Sequence, residues 1–162
     1  MYESEWLFSF NPDTSDLEVI DRIASGPNRK SGNTAYSSLA FELSRDGKTV
    51  FYIPMNKIDQ PDTTKKEDEL HLITYDIPQR RYTDHGSIVL DDGRIPRYCQ
   101  GLEVGTDGNL YIIAWIPITD TTSEKWKKLH SIATGGKPVL AIEQGTTYQE
   151  INLVVMKNPL RK

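Results

Sequence analysis

Short apolar runs broken by turn residues follow one another along the whole chain. EWLFSF (5–10), DLEVIDRI (16–23), SSLAFELS (37–44), KTVFYIPM (48–55), ELHLITYD (69–76), GSIVLD (86–91), GLEVGT (101–106), NLYIIAWI (109–116), KPVLAIE (137–143) and INLVVMK (151–157) each carry β-branched or aromatic residues. Runs of that length and composition read as strands, and several of them alternate apolar with polar positions. Between them lie NPDTSD, SRDGK, DIPQRR, DDGRIP and GTDGN, whose Asp, Asn, Gly and Pro reverse a chain. The pattern predicts about ten antiparallel strands joined by hairpins. Only TTSEKWKKLHSIA (121–133), with Trp126, Leu129 and Ile132 three residues apart, has a helical spacing. It predicts a surface helix or an ordered loop. NKIDQPDTTKKED (56–68) is polar throughout and reads as an exposed insertion between two strands.

The pattern repeats. SSLAFELSRDGKTVFYI (37–53) and CQGLEVGTDGNLYII (99–113) align strand, Asp-Gly turn and strand, their Asp-Gly pairs 61 residues apart. LFSFNPDTSDLEVI (7–20) likewise matches LITYDIPQRRYTDHGSIV (72–89): an aromatic-ended strand, a proline-containing turn and a second strand. LAFELSRDGKTVFYI and LEVGTDGNLYIIAW resemble the inner hairpin of bacterial β-propeller blades, and WLFSFNPDTSDLEVI resembles the outer hairpin. The likeness covers most of residues 5–116. It points to the sugar-handling propellers, lactonase-like or polysaccharide-lyase-like. It implies an all-β fold of antiparallel four-stranded blades in a partial propeller. A blade packed on both faces needs strands apolar on both sides, and YIIAWI and SIVL are such strands.

Ten strands make about two and a half blades, whereas a closed ring takes roughly four to eight. The chain would then run from an outer hairpin through one full blade into a partial one. The open blade faces call for self-association or for the remainder of a larger propeller. The alternative architecture is a two-sheet β-sandwich. Either way residues 1–162 read as a single β-rich domain.

Composition narrows the partners. The 162 residues carry a formal charge of -4 and a pI near 5.4, so no global field attracts nucleic acid or an anionic membrane. No apolar run reaches the roughly 18 residues of a spanning helix. The acidic start MYESEWLFSF is not a secretory signal peptide, and an upstream native N-terminus would reopen export to the periplasm or outside. A single cysteine, Cys99, excludes an intrachain disulfide framework, and three scattered histidines give no metal signature. No GxGxxG, P-loop or GxSxG motif occurs, so no cofactor is expected.

If the blade assignment holds, SGPNRKSGNTAY (25–36) and DDGRIPRY (91–98) cross the face where propellers carry their sites, and both are basic in an acidic chain. Arginine pairs bidentately with carboxylates, and tyrosine stacks on sugar rings. The resulting expectation is an acidic saccharide bound by Arg94, Arg29, Tyr36 and Gln100, with Arg97 and Tyr98 catalytic if there is turnover. In a lyase, an arginine neutralises the uronate carboxylate and acidifies the adjacent C–H, and a tyrosine or histidine removes that proton. Read structurally, the same residues are solvated turn positions. His85 is expected at the turn of an outer hairpin, away from the arginines, and Cys99 as a small buried residue. The rival function is a non-catalytic β-rich scaffold for protein or glycan interaction.

Overall fold

In the computed structural model, residues 6–31, 36–55, 69–134 and 148–161 are described. Nine strands among them form three antiparallel sheets. The first pairs β1 (Trp6–Asn11) with β2 (Asp16–Arg22). The central one is a four-stranded meander, β3 (Tyr36–Leu43), β4 (Thr49–Met55), β5 (His71–Asp76) and β6 (Arg81–Ser87). The third has the order β7 (Tyr98–Val104), β8 (Leu110–Pro117) and β9 (Gln149–Met156). Two helices fall in the connections, α1 (Gly26–Ser31) before β3 and α2 (Glu124–Thr134) after β8. The all-β antiparallel class follows the alternation in the sequence. The sheets number three among the described residues rather than the two of a sandwich.

The central sheet is covered on both faces. On one, Val50 and Tyr52 of β4 and Ile73 and Tyr75 of β5 pack against Leu7 and the Ile23-Ala24 corner. On the other, Phe51, Ile53 and Leu72 meet Leu102, Leu110, Ile112 and Ala114 of the third sheet. Five consecutive residues of β5, His71–Tyr75, are buried, as expected for a strand with no solvent face. β3 and β7, the first strands of their sheets, lie side by side.

The Asp-Gly turns at Asp92 and Asp107 close alike, whereas the Asp46-Gly47 turn is one residue longer, with Ser44 N–H donating to Thr49 O. Gly108 N–H donates to Gly105 O and Gly105 N–H to Asn109 O; Gly93 N–H donates to Leu90 O and Leu90 N–H to Arg94 O. Gly108 and Gly93 both have φ of 81°, the left-handed conformation that glycine enters without a Cβ clash. DDGR is therefore a tight turn of the same kind as the β7–β8 hairpin.

Two boundaries differ from expectation. GSIVLD was expected as a strand, but β6 ends at Ser87 and begins at Arg81, so the polar stretch RYTDHGS is the strand. It pairs with β5 through Asp76↔Arg81, Tyr75↔Tyr82 and Thr74↔Thr83. Cross-strand pairing with a fully buried neighbour, rather than its own composition, makes it a strand. His85 consequently lies inside β6, and the hairpin turn falls at Ile77–Arg80. The helix expected over 121–133 forms as Glu124–Thr134, its first turn capped by Ser123 Oγ accepting from Trp126 N–H at 3.2 Å. The expected insertion 56–68 and the expected strand 137–143 lie outside the described residues.

Candidate functional site

A polar cluster joins β5, β6 and the start of α1. His71 and Ser87 are register partners on adjacent strands, and Asp84 on β6 is the partner of Ile73, beyond the register shift between His71 and Ile73. His71 Nδ1 is 2.8 and 2.9 Å from the two oxygens of Asp84, and its Nε2 is 3.2 Å from Ser87 Oγ. Ser87 in turn donates to a Glu69 carboxylate oxygen. Asp84 also accepts from Gly26 N–H at 2.6 Å and Gly86 N–H at 2.8 Å.

Burial alone would push the Asp84 carboxyl up. The hydrogen bonds from His71, Gly86 and Gly26 outweigh it and hold the group down at about 2. A Cβ on Gly26 would come within 2.8 Å of Asp84 Oδ2, so the contact requires glycine there. The order carboxylate, imidazole, hydroxyl is that of a nucleophile relay. Here, however, the Ser87 hydroxyl proton points to Glu69 rather than to His71. The array instead ties the end of β6 to the crossing that begins β3, with every member satisfied.

The expected arginine site is dispersed. Arg29 is held on α1 by Asp21 at 3.1 Å, by the carbonyls of Ala24 and Arg22, and by the Tyr82 ring, whose centroid is 3.7 Å from its guanidinium carbon. These partners belong to the interface between the first and central sheets. Arg94 bonds Asp92 at 2.7 Å, Glu150 at 3.0 Å and the Pro117 carbonyl at 3.2 Å, at the far edge of the third sheet. Lys125 also donates to Glu150, and together with Arg94 it keeps that carboxyl below the usual range. Arg29 and Arg94 share no partner.

Arg97 is half-buried, and its N–H donates to the Trp115 carbonyl. Tyr98 meets Trp115 edge to face at 5.6 Å on the outer face of the third sheet. Gln100 is exposed where the β7–β8 register shifts between Cys99 and Gly101. Tyr36 lies in β3, but its side chain is outside the described residues. Of the six expected residues, Tyr98 and Gln100 lie on β7 and Arg97 immediately before it.

His85 Nε2 lies 2.8 Å from Thr74 Oγ1, and burial holds the imidazole below its usual range. Cys99 is fully buried, which pushes its thiol up to about 12. Among the described residues no group of three or more His, Cys, Asp or Glu is placed to hold a metal ion. Sequence reasoning passed over His71 and Asp84. The available signal was a histidine between Leu70 and Leu72, at the start of a buried run whose only other non-aromatic polar residue is Thr74.

The other conspicuous surfaces are apolar. On the first sheet, Phe8 pairs with Val19 and Phe10 with Leu17, all on one exposed face. On the third sheet, Ile113 pairs with Leu153 and Trp115 with Ile151, again on one exposed face, with Val155 beside them. These are the two outward faces of the stack.

Comparison of the chain with protein-family models, curated proteins and solved structures finds no match to any of them.

Proposed function

We propose that the chain is a β-propeller segment acting as a non-catalytic scaffold that works by stacking its sheets against further sheets. One observation carries this reading: both outward faces of the stack are apolar. Phe10, Leu17, Ile151 and Leu153 are each about 60% exposed, at 59, 64, 60 and 63%. The faces buried within the stack are built from the same residue types. Continuous apolar faces of this kind mark interaction surfaces. The four-stranded meander, with short turns between β3 and β4 and between β5 and β6, and the adjacent first strands β3 and β7 further support the propeller reading.

Light scattering across a concentration series tests it. Association above the 18.4 kDa of one chain is expected, and Val19→Asp is expected to reduce it. A chain that stays monomeric and folded at every concentration would overturn the reading.

A second reading, recognition of an acidic saccharide, draws on Tyr98 and Trp115, which stand edge to face, and on Arg97, the residue before Tyr98. An aromatic pair of this kind offers a sugar ring a stacking surface, and the guanidinium a partner for a uronate. Uronate polysaccharides are expected to bind, and Arg97→Ala and Tyr98→Ala each to weaken the binding. Equal binding by parent and variants, or no binding across a panel, removes this reading.

A further inference from the structure

The array around His71 holds a fixed number of protons, and that number decides how many of its bonds form. The ionised Asp84 carboxyl accepts from Gly26 N–H, Gly86 N–H and His71 Nδ1, so Nδ1 carries a proton. Ser87 has one hydroxyl proton and donates it to the Glu69 carboxylate. The 3.2 Å contact from His71 Nε2 to Ser87 Oγ is then a hydrogen bond only if Nε2 carries a proton as well. With both ring nitrogens protonated, an imidazolium lies between two carboxylates and all four side chains are bonded. With Nε2 bare, one hydroxyl proton faces two acceptors. Either Glu69 or Nε2, on a side chain only 8% exposed, then loses this bond.

The consequence reaches beyond the ring. Asp84 seats Gly26 N–H at the start of α1, and Arg29 on α1 grips β2 through Asp21 and the Arg22 carbonyl. A charged His71 adds ion-pair attraction to its bond with Asp84, so the ring's charge sets how firmly Asp84 is held under that crossing. Among the described residues, the other charged and titratable groups on this side are Tyr82 on β6, in the field of Asp84, and Tyr52 on β4, both beside the Arg29–Asp21 pair. His85 also lies in the field of Asp84, but it bonds Thr74, on the opposite face of β5 from His71.

We propose that Asp84, His71, Ser87 and Glu69 form a proton-operated latch on the crossing between the first and central sheets. It is closed while His71 carries both ring protons, and it slackens when Nε2 gives up its own. The two carboxylates favour the closed form, because a positive ring between them is attracted to both. Folding that relies on the second proton is supported while that proton is bound, and the support is lost as the pH rises. Protonation of Asp84 weakens the same crossing from the acid side.

Amide exchange of Gly26 and Gly86 in the full chain, corrected for its intrinsic acceleration by base, tests this from about pH 5 to about pH 9. Protection is expected to step down about fivefold with rising pH, the equivalent of one ordinary hydrogen bond. The step is expected over the same interval in which the His71 Nε2 proton disappears from ring proton–nitrogen correlation spectra. Glu69→Gln keeps an acceptor for Ser87 and removes the charge, so it is expected to move the step and the loss of the Nε2 proton together to lower pH. His85→Gln, on the other face of the sheet, is expected to leave both in place. Corrected protection that stays flat across the range would overturn the proposal. So would a step that comes without a change at His71 Nε2, or one that Glu69→Gln leaves unmoved.

Discussion

The central sheet and its two neighbours are built from the same kinds of residue and meet different fates. Ile53 on β4 is fully buried, while Leu153 on β9 is 63% exposed. Both are branched aliphatic residues in mid-strand. What separates them is whether another sheet lies on that face. Burial in this molecule is thus a property of position in the stack: a strand with two covered faces gains nearly twice the apolar burial of one with a single covered face. The third sheet has one face in the state of a core and one in the state of an unfinished interface, whereas the first sheet gives the core only Leu7 and part of Ile20.

The sharpest way to break the comparison is to delete the same kind of side chain in both places. Ile53→Ala leaves a void between closely packed neighbours on β5 and β8 and is expected to cost about 2 to 5 kcal/mol in a urea titration. A loss under about 1 kcal/mol would mean that the interface between the central and third sheets is loose, and that the central sheet is not the covered element described here.

The next effect is electrostatic and belongs to the crossing between the first and central sheets. The folded Asp84 carboxyl lies at about 2, below its ordinary 3.8. Its ionised form is therefore favoured by folding. That stabilisation is complete above about pH 4 and is lost as the pH falls toward 2. The shift corresponds to about 2 kcal/mol. Urea midpoints measured from pH 7 down to pH 3 are expected to fall for the parent and to fall less for Asp84→Asn, which is less stable than the parent at neutral pH. Parallel curves would assign the acid sensitivity to other carboxylates.

The sequence made the strands and turns legible because their cues are local: alternation of apolar residues, and Asp-Gly pairs at reversals. It misplaced β6, whose residues RYTDHGS have no apolar alternation and become a strand only through β5. The expected arginine site was harder still. Arg94 finds Glu150 56 residues away, and Asp84 finds Gly26 58 residues away. No local pattern encodes those distances. A basic loop in an acidic chain therefore reads as a free anion site until its carboxylates are placed. Arg97, Tyr98 and Gln100 lie together because they are near neighbours at the start of β7, where sequence adjacency and spatial adjacency coincide.

The smallest expected effect sharpens the comparison most. Leu153→Ser replaces an aliphatic side chain that the stack leaves in water, so the stability of the isolated chain is expected to change by no more than about 0.5 kcal/mol. The same substitution on a face that stacks against another sheet is expected to lower the associated mass seen by light scattering. The two measurements separate what the chain needs for its own fold from what it presents to a partner. If Leu153→Ser destabilised the chain by as much as Ile53→Ala, the outer face of the third sheet would already be part of the core. The distinction between covered and bare faces would then fail. If it changed neither stability nor association, the face would be neither core nor interface. Phe8, Phe10, Leu17 and Val19 on the opposite sheet would then be the surface to test next, because they are the only other comparable apolar face among the described strands.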